Sequence, residues 1–223
     1  MRHHIIVRLA RVNCRPPPAA AALLEVRELA FVRRDEPVFG PLDFDLEGGE
    51  IGLIEGDNGS GKTTLLRILA GLLRASSGRA RVDGLAAGDP AGAGTALLLG
   101  HQLGLKADLS VRENLATAAG LYGQRAGCGI VDTLVEVGLD GYADVPVRQL
   151  SAGQKKRAAL ARLRLLPARL WLLDEPFANL DRAGIALVNR LLDVHVVGGG
   201  AALVTTHGAV SFRDHTTRRI ALS

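Results

Sequence analysis

The sequence predicts an α/β fold built on a mostly parallel sheet, and two observations carry this prediction. Short apolar segments typical of buried strands recur at 51–54, 96–99, 170–173 and 201–205. Segments with helical periodicity lie between them, and the clearest, 63–72, carries four leucines on one face. Strands that alternate with helices form parallel sheets, and ligands bind at the carboxyl ends of such strands.

The middle of the chain changes to helical patterns. Ser110 with Glu113, and Ser151 with Gln154, match the Ser-x-x-Glu/Gln capping box that begins a helix. We therefore expect helices over 114–122, over 130–137 and after Ser151. Alternating apolar residues at Leu42, Phe44 and Leu46 predict one half-buried strand near the start of the domain.

The charge of the chain is concentrated in its first residues. The net charge is +4, yet residues 1–18 contain four arginines and no acid. The remaining residues, 19–223, therefore contain 23 of the 27 basic residues and 23 acidic residues, and their charges balance. A neutral body and only 4% aromatic residues argue against a nucleic-acid partner. The basic arm and Pro/Ala linker, residues 1–21, are consistent with contact to an anionic membrane, an untethered tail or a misassigned start.

No apolar run reaches the ~18 residues that a membrane helix needs. Arg8 and Arg11 interrupt the apolar start, and no convincing signal-peptide cleavage site follows. Cys14 and Cys128 show neither metal-ligand spacing nor a pairing pattern. These features predict a cytosolic protein with two free thiols, whose membrane part, if it has one, is another polypeptide.

A phosphate-binding loop follows the predicted strand 51–54. Residues 56–63, GDNGSGKT, match G-x-x-x-x-G-K-[ST] at every specified position, between a strand and a helix. Backbone N–H groups of such a loop surround phosphate oxygens, Lys62 neutralises the β- and γ-phosphates, and the Thr63 hydroxyl ligates Mg²⁺. The predicted nucleotide-binding residues are Gly56, Asp57, Asn58, Gly59, Ser60, Gly61, Lys62, Thr63 and Thr64.

Two carboxylates end the apolar strand 170–173. Asp174 is predicted to hold Mg²⁺, and Glu175, pointing the other way along a strand, is predicted to polarise the attacking water. An Asp-Glu pair alone is common at strand ends, but together with the phosphate loop it defines a P-loop NTPase that uses ATP and Mg²⁺.

Residues 150–154, Leu-Ser-Ala-Gly-Gln, narrow the class, because they resemble the signature motif of ABC ATPases, usually Leu-Ser-Gly-Gly-Gln. The resemblance implies a RecA-like, mostly parallel sheet with an N-terminal antiparallel β part and a helical signature subdomain. It places the ATPase domain at 22–223 and the helical insertion at 103–155. It also implies a homodimer, in which Leu150, Ser151, Ala152, Gly153 and Gln154 of one copy contact the ATP held by the other.

Further family motifs are matched in order. Gln102 resembles the glutamine that senses Mg²⁺ and the lytic water, and His207 resembles the switch histidine at the γ-phosphate. Asn179, Leu180 and Asp181 resemble the loop that crosses the dimer interface. The resemblance thus implies that Glu175, His207 and Gln102 are catalytic, and that Thr63, Gln102 and Asp174 surround the metal. The other histidines (His3, His4, His101, His195 and His215) receive no role.

The aromatic residue that the family stacks on adenine is not found where it is expected. Arg33 and Arg34 stand near that position, with Phe31 and Phe39 close in sequence. Arginine can also stack on a base, so the sequence leaves the stacking residue open.

Three stretches, 100–115, 144–154 and 171–177, are similar to the ATP-binding subunits of cytochrome c biogenesis haem exporters, the CcmA family. The resemblance implies a peripheral protein on the cytoplasmic side of the inner membrane. It implies integral membrane partners of the Ccm type and ATP hydrolysis coupled to haem delivery to the periplasm. We expect no direct haem contact, since no C-x-x-C-H motif occurs. Two alternatives stay open: an ATPase for lipid, drug or antibiotic export, and a soluble ABC ATPase acting on ribosomes or DNA.

Overall fold

The computed structural model describes residues 22–206 and 217–222. Within them the strands are β1 (Leu24–Arg33), β2 (Glu36–Leu46), β3 (Ile51–Glu55), β4 (Ser77–Val82), β5 (Leu85–Ala86), β6 (Ala96–Leu99), β7 (Leu170–Asp174), β8 (Ala201–Thr205) and β9 (Thr217–Ala221). The α-helices are α1 (Lys62–Leu69), α2 (Val111–Tyr122), α3 (Ile130–Glu136), α4 (Ala152–Leu165) and α5 (Arg182–Val197). Short 3₁₀ turns lie at Pro90–Gly92 and Val147–Gln149.

The larger sheet has the strand order β6-β7-β8-β3-β9, and every neighbouring pair in it is parallel. The strands β3, β7 and β8 are covered on both faces, which explains why they are continuous apolar runs in the sequence, whereas the edge strand β9 is mostly exposed and carries two arginines. Leu170 and Leu172 of β7 enter one hydrophobic core, while Trp171 and Leu173 enter the other. Because side chains alternate between the two faces of a strand, β7 contributes to both hydrophobic cores.

The smaller sheet is antiparallel, with the order β2-β1-β4-β5. Its inner face packs against α1 and one face of the parallel sheet. The alternation predicted for β2 is confirmed: Phe44 and Leu46 are buried, whereas Asp43 is exposed. This sheet lies beside the start of α1, and so it forms one wall of the region around the phosphate loop.

The helical part packs around α4, which contacts α2, α3 and α5. Both predicted capping boxes are present, at Ser110 for α2 and at Ser151 for α4. The first helix is shorter than predicted. It ends at Leu69, because Gly71 takes a left-handed conformation at φ 73°, and Leu72 is 69% exposed rather than buried.

A side chain of α4 joins this helix to the loop that follows β6. Arg162 Nη1 donates to the carbonyl of Leu103 at 3.0 Å and to that of Gly104 at 3.2 Å. Gly104 has a left-handed backbone at φ 65°, which favours glycine, and a Cβ on it would lie 2.7 Å from the same nitrogen. The helix that begins at Ser151 and the loop after Gln102 are therefore connected directly.

Among the described helices, none combines the length and the apolar character required to span a bilayer.

Candidate functional site

A cleft of about 380 Å³ opens where β3 and β7 end. Six of the nine predicted nucleotide-binding residues line it: Asn58, Gly59, Gly61, Lys62, Thr63 and Thr64. Asp174 and Glu175 line the same cleft, so residues about 110 positions apart in the chain meet at one edge of the parallel sheet. This is the position at which open α/β sheets bind their ligands.

The phosphate loop holds its lysine in place through its own backbone. Lys62 is only 7% exposed, and its Nζ donates to the carbonyls of Gly56 at 2.6 Å and Asp57 at 2.8 Å. The remaining loop residue, Ser60, has a buried hydroxyl oxygen for which no partner is found among the described residues. The ammonium group is therefore positioned beside the cleft, where anionic phosphate would attract it.

The N-terminus of α1 faces this loop without a side-chain cap. Gly61 precedes it at φ 92°, and a Cβ there would lie 2.8 Å from Phe39 Cδ1 and 2.9 Å from Val38 Cγ1. Glycine is thus required both for the conformation and for the close approach of β2. Uncapped N–H groups at a helix start, with the positive end of the helix dipole, suit an anion.

Asp174 is buried at the centre of a polar network. Its Oδ2 accepts from Thr63 Oγ1 at 2.8 Å, and its Oδ1 accepts from Thr205 Oγ1 at 2.7 Å. Thr205 in turn accepts from the backbone N–H of Glu175 at 3.0 Å. The network ties the ends of β7 and β8 to the start of α1, and it presents hydroxyl and carboxylate oxygens to the cleft.

Glu175 lies beyond the strand rather than continuing it. β7 ends at Asp174, and Glu175 has a left-handed backbone with φ 50°. The strand alternation used in the sequence analysis therefore does not set its direction, although its side chain does reach the cleft. A non-glycine residue at positive φ costs on the order of 1 kcal/mol and often marks a functional position.

Lys156 and His101 lie near Glu175, and their local sequence does not indicate a role for either. Lys156 of α4 has its pKa lowered by burial, while the charges of Asp174 and Glu175 oppose this shift. His101 Nε2 lies 4.0 Å from Glu175 Oε1. The approach of Lys156 depends on how α4 packs across the sheet, and nothing in its local sequence shows this.

The remaining predicted residues lie elsewhere. Gln102 is exposed and lines a separate groove of about 450 Å³ together with Leu103, Gly104, Leu105, Ala107, Val147 and Lys155. In the predicted interface loop, Asn179 is exposed at φ 58°, Leu180 packs on the core, and Asp181 caps α5 by accepting from the Gly184 N–H at 2.7 Å. His207 lies outside the described residues.

The signature residues are not part of this chain's own cleft. Ser151 is exposed; its Oγ accepts from the Gln154 N–H at 3.2 Å, and its own N–H donates to Gln154 Oε1 at 2.9 Å. Leu150 is buried, whereas Ala152 and Gly153 are exposed. The capping box thus orders a helix start that faces outward.

Two of the four residues considered for stacking on a base line the cleft, on its side next to the small sheet. Phe31 and Arg33 line the cleft, whereas Arg34 does not. Phe39 is buried under Gly61 and stacks on Phe31 with ring centroids 6.3 Å apart. Phe31 and Arg33 therefore lie on the wall of the cleft, while Arg34 lines an adjoining cavity together with Arg33.

No group of three or more His, Cys, Asp or Glu side chains gathers as a metal site in the part of the chain that the structure describes.

Comparison with known proteins identifies the family. Residues 39–178 match the family model described as ABC transporter. The cytochrome c biogenesis ATP-binding export protein CcmA of Xanthomonas axonopodis pv. citri (strain 306) is 56% identical over 207 residues, which cover 93% of this chain and 97% of that protein. The protein of the same name from Methylococcus capsulatus (strain ATCC 33009 / NCIMB 11132 / Bath) is 48% identical over 188 residues, covering 83% and 91%.

Among solved structures, a putative ABC transporter ATP-binding protein from Pyrococcus furiosus aligns with a TM-score of 0.75 at 25% identity, covering 89% of this chain and 96% of that one. The predicted fold class and the predicted resemblance are both confirmed. The chain is an ATP-binding, ATP-hydrolysing protein, and it belongs to the ABC transporter ATPases and, within them, to the CcmA family of cytochrome c biogenesis ATP-binding export proteins.

Proposed function

We propose that this chain powers the delivery of haem for cytochrome c maturation, as a peripheral subunit on the cytoplasmic side of the inner membrane. The observation that carries the ATPase mechanism is the meeting of Lys62, Thr63, Asp174 and Glu175 at one cleft. Similarity to proteins named for cytochrome c biogenesis, over nearly their whole length, supports the cargo. We also propose the division of the chain into an ATPase domain at 22–223 with a helical insertion at 103–155.

The phosphates of ATP bind across the loop at the start of α1. Lys62 Nζ exchanges its two carbonyl partners for phosphate oxygens, and this favours binding because a charged acceptor makes the stronger hydrogen bond. The uncapped helix start adds N–H donors. Phe31 or Arg33 covers the base.

The oxygen atoms beside the phosphate loop fit Mg²⁺. Thr63 Oγ1 and Asp174 Oδ2 lie 2.8 Å apart at the cleft, and hydroxyl and carboxylate oxygens are the ligands that this hard cation prefers. Few protein ligands are expected, because Mg²⁺ keeps several waters and phosphate oxygens. When bound, Mg²⁺ neutralises charge on the phosphates. Gln102 would join this site only after its loop moves from the separate groove.

Glu175 acts on the attacking water. Glu175 lines the cleft beside Asp174, and its left-handed backbone (φ 50°) takes it out of the strand that ends at Asp174. This separation leaves Asp174 to hold the metal and Glu175 to accept a proton from water. We assign His207 to the γ-phosphate on the resemblance alone.

The exposed signature helix requires a second copy of the chain. Ser151 and the N–H groups at the start of α4 form an anion-binding surface that this chain's own ATP does not reach. We propose that two copies close head to tail, so that Ser151 of one meets the γ-phosphate bound by Lys62 of the other. Asn179, Leu180 and Asp181 then lie at the interface between the copies.

The groove at Gln102 suits a membrane partner. Its lining is mostly apolar, from Leu103, Leu105 and Val147, with Lys155 at its edge. We propose that a cytoplasmic helix of an integral subunit of the Ccm type docks there. Closure of the two copies would then move that helix, because Arg162 joins the groove to the signature helix.

Glu175→Gln tests the ATPase assignment in the purified complex. We expect ATP binding and ATP-dependent dimerisation to be retained, and turnover to fall by about 10²-fold or more, the usual contribution of a general base. Unchanged turnover would refute the role of Glu175.

A haem stain of membrane proteins tests the cargo. In cells that carry Glu175→Gln as the only copy, we expect c-type cytochromes with covalent haem to disappear while the variant protein stays at the membrane. A normal cytochrome pattern, with the variant shown to be inactive, would indicate an ABC transporter for another cargo.

A further inference from the structure

His101 lies beside Glu175, just beyond the ends of two paired parallel strands. β6 and β7 pair from Ala96 with Leu170 to Leu99 with Leu173. β6 ends two residues before His101, and β7 ends one residue before Glu175. Beyond these strand ends, His101 Nε2 lies 4.0 Å from Glu175 Oε1.

The 4.0 Å between these two atoms is slightly too long for a hydrogen bond, which needs about 2.7–3.2 Å between nitrogen and oxygen. His101 has an exposed side chain (69%), and a Cβ on the preceding Gly100 would meet nothing within 4 Å, so there is room around this part of the loop. A shift of about 1 Å would bring the two atoms within hydrogen-bonding distance.

A hydrogen bond from His101 would add to the contacts that Glu175 already makes. The backbone N–H of Glu175 donates to Thr205 Oγ1, and Lys156 of α4 attracts the carboxylates of Asp174 and Glu175. A hydrogen bond to one carboxylate oxygen selects an orientation of the carboxylate, and the ring N–H of a neutral or a charged histidine can donate it.

We propose that His101 is a positioning residue for Glu175, donating a hydrogen bond from Nε2 when the loop after β6 moves inward. The proposal rests on the proposed role of Glu175 in activating water. The next residue, Gln102, lines the groove assigned to the membrane partner, and so the loop links that groove to the hydrolytic carboxylate. ATP turnover then depends on the position of a loop that the partner contacts.

The experiment compares His101→Ala, His101→Gln and His101→Asn in the full chain with its membrane subunits, measuring kcat and KM for ATP with Mg²⁺. The amide nitrogen of glutamine reaches the position of Nε2, whereas that of asparagine reaches only the position of Nδ1. We expect kcat to fall about fivefold in His101→Ala and His101→Asn, the loss expected for one hydrogen bond of ordinary strength. His101→Gln should stay within about twofold of the unmodified protein, and KM should not change in any of the three.

Three results would overturn the proposal: a normal kcat in His101→Ala, an equal loss in His101→Gln and His101→Asn, or a change confined to KM. Glu175→Gln, measured in the same preparation, separates the two hypotheses. Normal turnover there refutes the role of Glu175 and this proposal together. A loss there, with normal turnover in His101→Ala, refutes the positioning role alone. If His101→Ala fails to fold, the comparison of glutamine with asparagine still decides.

Discussion

Protonation of one buried histidine should make the stability of this protein depend on pH. His195 of α5 is 5% exposed and stacks on Trp171, with ring centroids 3.8 Å apart. Burial lowers its pKa from 6.5 to about 4, although a hydrogen bond between Nε2 and the carbonyl of Ala201 opposes the shift. Charging this ring inside the core is unfavourable because the core solvates the cation poorly.

The sign and the size of the effect follow from this shift. The unfolded chain binds a proton at His195 below about pH 6.5, while the folded protein does so only near pH 4. Stability is therefore complete above pH 6.5 and is lost as the pH falls toward 4. At about 1.4 kcal/mol for each pKa unit, the loss is about 2 kcal/mol at pH 5 and about 3 kcal/mol at pH 4.

Urea denaturation at pH 7.5 and pH 5 measures this loss, and Trp171 serves as the fluorescent probe because it is the only tryptophan. His195→Phe is the matched control, since it keeps a flat ring against Trp171 but cannot be protonated. We expect the unmodified protein to lose about 2 kcal/mol more than the variant between the two pH values. Equal losses in both proteins would refute the reasoning.

Three further predictions concern the cleft and the signature helix. Ser151→Ala should lose about 1 kcal/mol of unfolding free energy and also ATP-driven dimerisation. Ser110→Ala, which removes the same kind of capping box, should lose only the stability. Denaturation measures the stability and gel filtration with ATP measures dimerisation, and dimers of Ser151→Ala would contradict the proposed interface. Arg33→Ala should weaken ATP binding more than Arg34→Ala, because only Arg33 lines the cleft; equal affinities by calorimetry would exclude arginine stacking and leave Phe31. Lys62→Ala should weaken ATP binding by at least tenfold, the equivalent of about 1.4 kcal/mol, and normal affinity would argue against its phosphate contact.

Much of the fold could be predicted because its signals are local. The short apolar strands, the glycines of the phosphate loop and the two Ser-x-x-Glu/Gln caps each act within a few residues, and all are present. The end of α1 was placed too late, since leucine periodicity continues to Leu72 while Gly71 already breaks the helix.

The site was predictable only in part, because some of its contacts come from the packing of distant segments. Lys62, Thr63 and Asp174 belong to motifs, and they meet as expected. The approach of His101 to Glu175 is not predictable from the sequence, since it joins the segments that follow two different strands. The direction of Glu175 depends on a left-handed backbone that no alternation rule anticipates.

The bond between Arg162 and the carbonyls of Leu103 and Gly104 has a consequence for how force leaves the molecule. The loop after β6 and α4 both line the groove, and one guanidinium group in the last turn of α4 joins them. On the docking proposed above, a partner helix would contact both walls at once. A displacement of α4 would then reach that helix together with residues 103 and 104, through a tether that a single substitution of Arg162 removes.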